Sequence, residues 1–403
     1  MSVDMRVPEI RFKGFNDEWS MLTLGELGTV ATNKRIFIHQ TSLIGDVPFY
    51  KIGTFGREPK LYISQELFED YKERFPFPLK GDLLFSVIGS IGRVVEYTGE
   101  DEYFQDSNVV WLQHNGSIVN TFLKQFYSIV EWQGIEGSTI KHLYNRTILG
   151  TQIQMPSRKE QAQIGNTFQK LDSLINQHQQ KHDKLSNIKR SMLEKMFPKQ
   201  GKTTPEIRFK GFSGEWEESS LFEEAVVTTG FPFDSSDFCN SGNLLVITNG
   251  NIQNSSSAVN GKVGNRIAIE KVDLLNQYAL NIGDILVTMD GSVGRTAKVI
   301  EPNQILAQRV GRLVAKNNTE FLYQSLNTGA FLDAMTTISH GGTIKHISLS
   351  EIGSYMLLVP KNIEEQEKIG SYLQKLDALI YQHQHQITKL NNIKQACLRK
   401  MFV

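Results

Sequence analysis

The sequence predicts an α+β protein in which two small mixed α/β domains alternate with two long helices that pair as an antiparallel coiled coil with pseudo-two-fold character. Three observations predict it: an internal repeat with a period of roughly 200 residues, two matched helical segments with capping signals and heptad spacing, and short glycine-punctuated strand signals between them.

Pro8-Glu-Ile-Arg-Phe-Lys-Gly-Phe15, followed by Glu18-Trp19, returns as Pro205-Glu-Ile-Arg-Phe-Lys-Gly-Phe212, followed by Glu215-Trp216. Gly81-Asp-Leu-Leu-Phe-Ser-Val-Ile-Gly-Ser-Ile-Gly-Arg93 matches Gly283-Asp-Ile-Leu-Val-Thr-Met-Asp-Gly-Ser-Val-Gly-Arg295, and Thr139-Ile-Lys-His142 matches Thr343-Ile-Lys-His346. The longest match joins Glu160 to Phe197 with Glu365 to Phe402. Such a period is too long for a solenoid unit and describes a duplicated domain-plus-helix module. The expected boundaries are a first domain over 1–157, a helix over 158–197, a linker over 198–204, a second domain over 205–360 and a second helix over 361–403. Between the shared landmarks the copies diverge, as in Pro48-Phe-Tyr-Lys-Ile-Gly-Thr-Phe-Gly-Arg57 against Leu244-Leu-Val-Ile-Thr-Asn-Gly-Asn-Ile-Gln253. A repeated scaffold with an unrepeated contact surface suits a single frame that reads two unrelated short sequences.

Each long helix opens with capping chemistry after a proline: Ser157 with Glu160 after Pro156, and Asn362 with Glu365 after Pro360. Apolar or histidine residues then recur at Ile164, Phe168, Leu171, Ile175, His178, His182, Leu185, Ile188 and Met192. The second helix places Ile369, Leu373, Leu376, Ile380, His383, Ile387, Leu390, Ile393 and Cys397 at the same spacings, with one extra step of three near Ile188 and its counterpart. Steps of four and three define a heptad seam, and the natural partner of each helix is the other. Pro198 ends the first helix, and Gly201, Thr203, Thr204 and Pro205 mark the linker. At 1.5 Å rise per residue each rod measures roughly 55 to 60 Å, longer than one turn of B-DNA at roughly 34 Å. His178 and His383 read as packed, hydrogen-bonded seam residues, because two imidazoles without Cys or carboxylate companions make a poor metal site. The basic run Lys181, Lys184, Lys189, Arg190, Lys195 and Lys199 fits either a solvated face or contact with a partner or phosphate.

In the domains, strands are expected at Val109–Leu112, Leu244–Ile247 and Ile285–Thr288, and helices at Thr121–Trp132 and Glu320–Met335. The turns ending at Arg93 and Arg295 admit two readings. Glycines let backbone N–H groups approach a phosphate closely while the arginine adds charge, or these are plain hairpin turns with a surface arginine.

The chain has 403 residues, 40% hydrophobic and 21% charged, which suits a soluble protein of two to three domains. No apolar run approaches the ~18 residues a membrane span needs, and Met1 to Ile10 lacks a secretory signal. Cys239 and Cys397 have no CxxC companion, which fits a reducing, cytoplasmic setting without a zinc site. Forty-three basic and 43 acidic residues cancel. A protein binding nucleic acid unaided would be basic, so either the positive charge is segregated or partner subunits supply much of the phosphate contact.

Arginine and lysine read guanine, while asparagine and glutamine read adenine. On that logic the candidate DNA-contacting residues are Lys51, Thr54, Arg57, Ser90, Arg93 and Lys141 in the first domain, and Asn249, Asn251, Gln253, Ser292, Arg295 and Lys345 in the second. Candidate seam residues are Ile164, Phe168, Leu171, Ile175 and Leu185 with Ile369, Leu373, Leu376, Ile380 and Leu390. No catalytic residue and no metal ligand is nominated: methyltransferase, Walker A, dinucleotide, HExxH and paired CxxC motifs are all absent from the sequence.

The Phe-Lys-Gly-Phe and Glu-Trp opening, the Gly-Asp-Leu/Ile-Leu turn segment and the Glu-Gln, Ile-Gly, Leu-Asp, Gln-His-Gln and Met-Phe landmarks of the helices closely resemble the specificity subunit of type I restriction-modification systems. That resemblance implies two target recognition domains, each reading one half of a bipartite double-stranded DNA site with a non-specific spacer. It implies further that the helices act as a spacer and dock two modification subunits, which methylate adenine using S-adenosylmethionine. Restriction subunits with ATP- and Mg-dependent translocase and nuclease activity would join them, leaving this chain a non-catalytic reader without a cofactor of its own. From the residues alone, a coiled-coil adaptor presenting two domains to proteins or glycans fits the repeat as well.

Overall fold

The computed structural model describes residues 7–137, 141–239, 241–253, 256–268 and 276–402. The chain forms two compact units, Met1–Gln179 with His385–Val403, and Gln180–Gln384. Each long helix therefore begins in the unit of the domain before it and ends in the other.

In the first unit a four-stranded antiparallel sheet runs in the order Gly28–Ala31, Val109–His114, Leu83–Ser86, Val94–Glu96. A three-stranded sheet places Val47–Tyr50 between Leu61–Ile63 and Tyr103–Phe104, the last pairing parallel. Ser20–Thr23 and Gln152–Met155 form a separate antiparallel ribbon at the domain's entry and exit. Phe49, Phe55, Phe85, Tyr103, Phe104 and Trp111 are all buried, which explains why strands of two to six residues suffice here.

The second unit repeats this plan. Its four-stranded sheet runs Ala225–Thr229, Val310–Ala315, Ile285–Thr288, Thr296–Lys298, and its three-stranded sheet Arg266–Ile267, Leu244–Ile247, Gln304–Leu306. The ribbon is Glu217–Ser220 with Met356–Val359. Leu244–Ile247 and Ile285–Thr288 occupy the residues expected of them, and Val109–Leu112 extends to His114. The helix expected over Thr121–Trp132 runs from Asn120 to Ile129, three residues short of Trp132, and Gln65–Arg74 forms a further helix of the first domain. The single helix expected over Glu320–Met335 is instead two, Thr319–Leu326 and Ala330–Ile338, because the chain turns at Gly329 with φ +100°.

The long helices span Arg158–Met196 and Ile363–Met401, each 39 residues. Their capping differs from the expected boxes. Ser157 Oγ accepts from the Glu160 N–H at 3.4 Å, and Asn362 Oδ1 accepts from Glu364 N–H at 2.9 Å. The carboxylates of Glu160 and Glu365 turn away from the caps to Arg11 and Arg208, so the repeated arginine near the start of each module clamps the repeated glutamate of its helix.

The closing Met-Phe of each helix fills the core of the unit in which it ends. Phe402 lies 6.3 Å from Trp19 and 5.1 Å from Phe122 in the first unit, and Phe197 lies 5.9 Å from Trp216 and 5.6 Å from Phe321 in the second. Backbone contacts repeat the match: Ile10 N–H donates to Lys400 O at 2.9 Å and Ile207 N–H to Lys195 O at 2.8 Å.

In the first unit the two helix segments are antiparallel. Phe168 faces Phe402, and four residues on Asp172 accepts from Lys394, eight residues back, at 2.6 Å. In the second unit Lys189 donates to Asp377 at 2.6 Å, while Leu185, Ile188 and Met192 pack on a core containing Ile369, Leu373 and Leu376. These ion pairs correct the expected seam. Ile393 is 40% exposed, and the regular heptad position after Leu390 belongs to Lys394, as that after Leu185 belongs to Lys189. The alternation of four and three therefore continues unbroken through Lys189 and Lys394, with Ile188 packed on the second core beside Lys189. A charged residue at such a position specifies register at some cost in stability.

Candidate nucleic-acid interface

Both Gly-Ser-x-Gly-Arg segments fold into the same loop, closed by a hydroxyl. Ser86 Oγ donates to Ser90 O and accepts from the Arg93 N–H at 3.1 Å. Thr288 Oγ1 donates to Ser292 O at 2.5 Å and accepts from the Arg295 N–H at 3.0 Å. The glycines carry the left-handed backbone this needs, with φ +68° and +81° at Gly89 and Gly92, and +73° and +77° at Gly291 and Gly294. Ser90 and Ser292 stand exposed at the tips, while Arg93 and Arg295 are half-buried.

The Ile-Lys-His segment packs beside each loop. Ile88 bridges His142, which also bridges Glu136, and Asp290 bridges His346, which also bridges His340. Gly291 N–H donates to Lys345 O at 2.8 Å. Lys141 and Lys345 are both exposed. Thr139 of the repeated motif lies outside the described residues.

The diverged segments complete the cluster. Arg93 donates through its guanidinium to Phe55 O at 3.0 Å, which ties the Lys51–Arg57 turn to the first loop. Within that turn the Thr54 hydroxyl is engaged with the Lys51 backbone at 3.1 and 3.2 Å, and Arg57 is exposed. In the second unit Asn249 Oδ1 accepts from the Met289 N–H at 3.2 Å, drawing its turn onto the second loop. Gln253 is exposed further along that turn. The structure thus gathers Lys51, Thr54, Arg57, Ser90, Arg93 and Lys141 around one loop, and Asn249, Ser292, Arg295 and Lys345 around its counterpart.

Asn251 must be corrected. It is 2% exposed; its oxygen accepts from Thr248 N–H and Oγ1, and its amide nitrogen donates to Asn260 O at 2.8 Å and Val263 O at 2.7 Å. All its capacity holds the loop, so no edge remains for a base.

Side-chain identity gave no warning of Arg309. It directly precedes the strand Val310–Ala315 with φ +66°; in the first unit the left-handed residue is Ser107, φ +59°, two positions before the corresponding strand Val109–His114. Its guanidinium donates to Asp290 Oδ2 at 3.0 Å, and His346 Nδ1 lies 2.5 Å from Asp290 Oδ1. Burial works to raise the Asp290 carboxyl, but its bonds to His346 and Arg309 outweigh that and leave it below the usual aspartate range.

Of the seam candidates, Ile164, Phe168, Ile369, Leu373 and Leu376 are buried, and Leu171, Ile175, Leu185, Ile380 and Leu390 are half-buried. Among the described residues no cluster of three His, Cys, Asp or Glu side chains is placed to hold a metal ion, and no helix is long and apolar enough to cross a membrane.

The type I restriction modification DNA specificity domain, as a family model, matches residues 16–187 and 213–392. A putative type I restriction enzyme specificity subunit, S.HindORF215P of Haemophilus influenzae, is 46% identical over 157 residues, which is 39% of this chain and 41% of that one. The type I restriction enzyme MjaVIII specificity subunit of Methanocaldococcus jannaschii is 25% identical over 68% of this chain and 67% of its own length. The match to the Haemophilus protein thus spans less than half of that relative. Among solved structures, the type I restriction-modification system S subunit from M. genitalium is similar in fold, with a TM-score of 0.64 and 18% identity over 98% of this chain and 99% of that one.

Proposed function

The chain belongs to the type I restriction modification DNA specificity domain family, and from that premise we propose that it is the sequence-reading subunit of a DNA modification and restriction complex. Each unit reads one half of a bipartite duplex site through its loop cluster. The long helices set the spacing between the halves and dock the modification subunits. S-adenosylmethionine, ATP and Mg belong to those partners and to the restriction subunits, while this chain supplies recognition alone.

One observation carries this reading. The hydrogen-bond circuit of the two loops is the same, yet the side chains gathered around it differ: Lys51, Thr54 and Arg57 in the first unit, Asn249, Arg309 and Asp290 in the second. A shared frame with different donors and acceptors can present one geometry to DNA and select different bases. The neutral net charge is consistent with partners that supply much of the phosphate contact.

The test is a segment exchange. Replacing Thr29 to Lys141 with the corresponding segment of a relative, in cells carrying the whole system, should change one half of the methylated motif in long-read sequencing. A change in both halves, or in neither, would refute the two-reader assignment.

A further inference from the structure

We propose that Arg309 reads a guanine in the half-site of the second unit and that Asp290 is its positioning residue. This rests on the reading of the chain as a DNA specificity subunit.

Arg309 is a long side chain on a left-handed backbone, φ +66°, a conformation in which bulky residues are uncommon and strained. Stability does not account for it. Its side chain is 63% exposed, and an ion pair so placed contributes little to folding. The pair does, however, orient the arginine. Asp290 is only 19% exposed and is held from its other oxygen by His346, so it is a fixed anchor rather than a mobile surface carboxylate. Arg309 uses one terminal nitrogen on that anchor. The guanidinium has five N–H donors in a rigid fork, and anchoring one edge aims another outward with less entropy left to lose on binding.

The surroundings agree. Asp290 opens the Gly-Ser-Val-Gly-Arg loop, and His346 follows Lys345, so Arg309 stands among the residues gathered there on independent grounds. In the first unit the ladder register puts Asn108 at the place of Arg309, and the left-handed residue, Ser107, comes one position earlier and lines a hollow with Glu136, His142 and Arg146. A left-handed bend before the strand is kept, shifted by one residue, and the side chains it carries differ, as expected of a segment that selects a base. A bidentate arginine on guanine O6 and N7 is the commonest specific major-groove contact.

The experiment uses the full chain in cells carrying its partner subunits, with methylated adenines mapped by long-read sequencing. The exchange of Thr29 to Lys141 first identifies the half-site left to the second unit; if no motif depends on this chain, the underlying reading fails before Arg309 is addressed. Arg309→Gln and Arg309→Gly, the latter suited to positive φ, should then relax one G·C pair in that half-site, with discrimination at the pair falling about 10-fold or more. Asp290→Asn should relax the same pair to a smaller extent. Should Arg309→Gly abolish methylation, the purified complex is titrated with duplexes substituted at each position of the half-site. An equal loss on every duplex marks a phosphate contact and overturns the proposal, as does an unchanged motif.

Discussion

The guanidinium of Arg11 grips the carboxylate of Glu160 through two hydrogen bonds of 2.6 and 2.7 Å, although 149 residues separate them in sequence. Arg208 grips Glu365 in the same way at 2.6 and 2.8 Å. Both glutamates are 1% exposed at the side chain. Removing one member leaves the other charged and desolvated. Glu160→Gln should therefore cost about 3 kcal/mol or more, read as a lower urea midpoint at unchanged m-value. Glu365→Gln should behave alike, and because the pairs share no residue the double variant should show the sum.

Close helix packing makes Gly165 and Gly370 the next sensitive points. A Cβ on Gly165 would lie 2.7 Å from Thr121 Cβ and 2.8 Å from its carbonyl carbon; one on Gly370 would lie 2.9 Å from Phe321 N. Alanine at either should cost about 1–3 kcal/mol, against the slight gain expected from helix propensity alone. Thr121→Ala should fail to rescue Gly165→Ala, since backbone atoms of residue 121 obstruct as well. A thermal melt of the double variant at the single variant's temperature would bear this out.

Lys189 with Asp377 and Lys394 with Asp172 place one charged pair in each unit at the helix seam. Asp377 also accepts from Gln324 at 2.8 Å, whereas Asp172 is 36% exposed. Asp377→Ala should thus destabilise more than Asp172→Ala, by roughly 2 against 1 kcal/mol. A double-mutant cycle on Lys189 and Asp377 should give a favourable coupling that survives moderate salt better than that of Lys394 and Asp172.

Tyr50 and Tyr97 of the first unit should titrate late. Burial, reinforced by the nearby Glu102 charge, pushes the Tyr50 phenol up to about 12, and burial with Asp101 and Glu102 does the same for Tyr97. The unfolded chain loses these protons near pH 10. Between about pH 10 and 12 the native state holds protons that the unfolded state has released, so stability falls as pH rises through that window and is whole below it. Ultraviolet titration should show a tyrosinate fraction rising above pH 11, diminished in Tyr50→Phe and Tyr97→Phe. Those variants should also resist alkaline unfolding better than the parent.

The repeat, the two capped helices, the strand cores and the Gly-Ser-x-Gly-Arg loops were legible in the sequence because each rests on local chemistry. Heptad spacing, left-handed glycines and β-branched runs act within a few residues, and duplication displayed them twice. Gly329 is a local signal of the same kind: with Asn327 and Thr328 it forms a polar turn between two apolar stretches and divides the helix there.

Tertiary structure decided what depends on partners distant in sequence. It sent Glu160 and Glu365 to arginines rather than to their caps, because a carboxylate buried to 1% exposure requires a full countercharge. It put Lys189 and Lys394 on the seam because an aspartate of the other helix waits there. It spent Asn251 on its own loop and released Arg309, anchored by Asp290, toward solvent. Residue type says what a side chain can bond. Only the packed fold says which of its bonds are already taken, and that remainder is what a ligand can use.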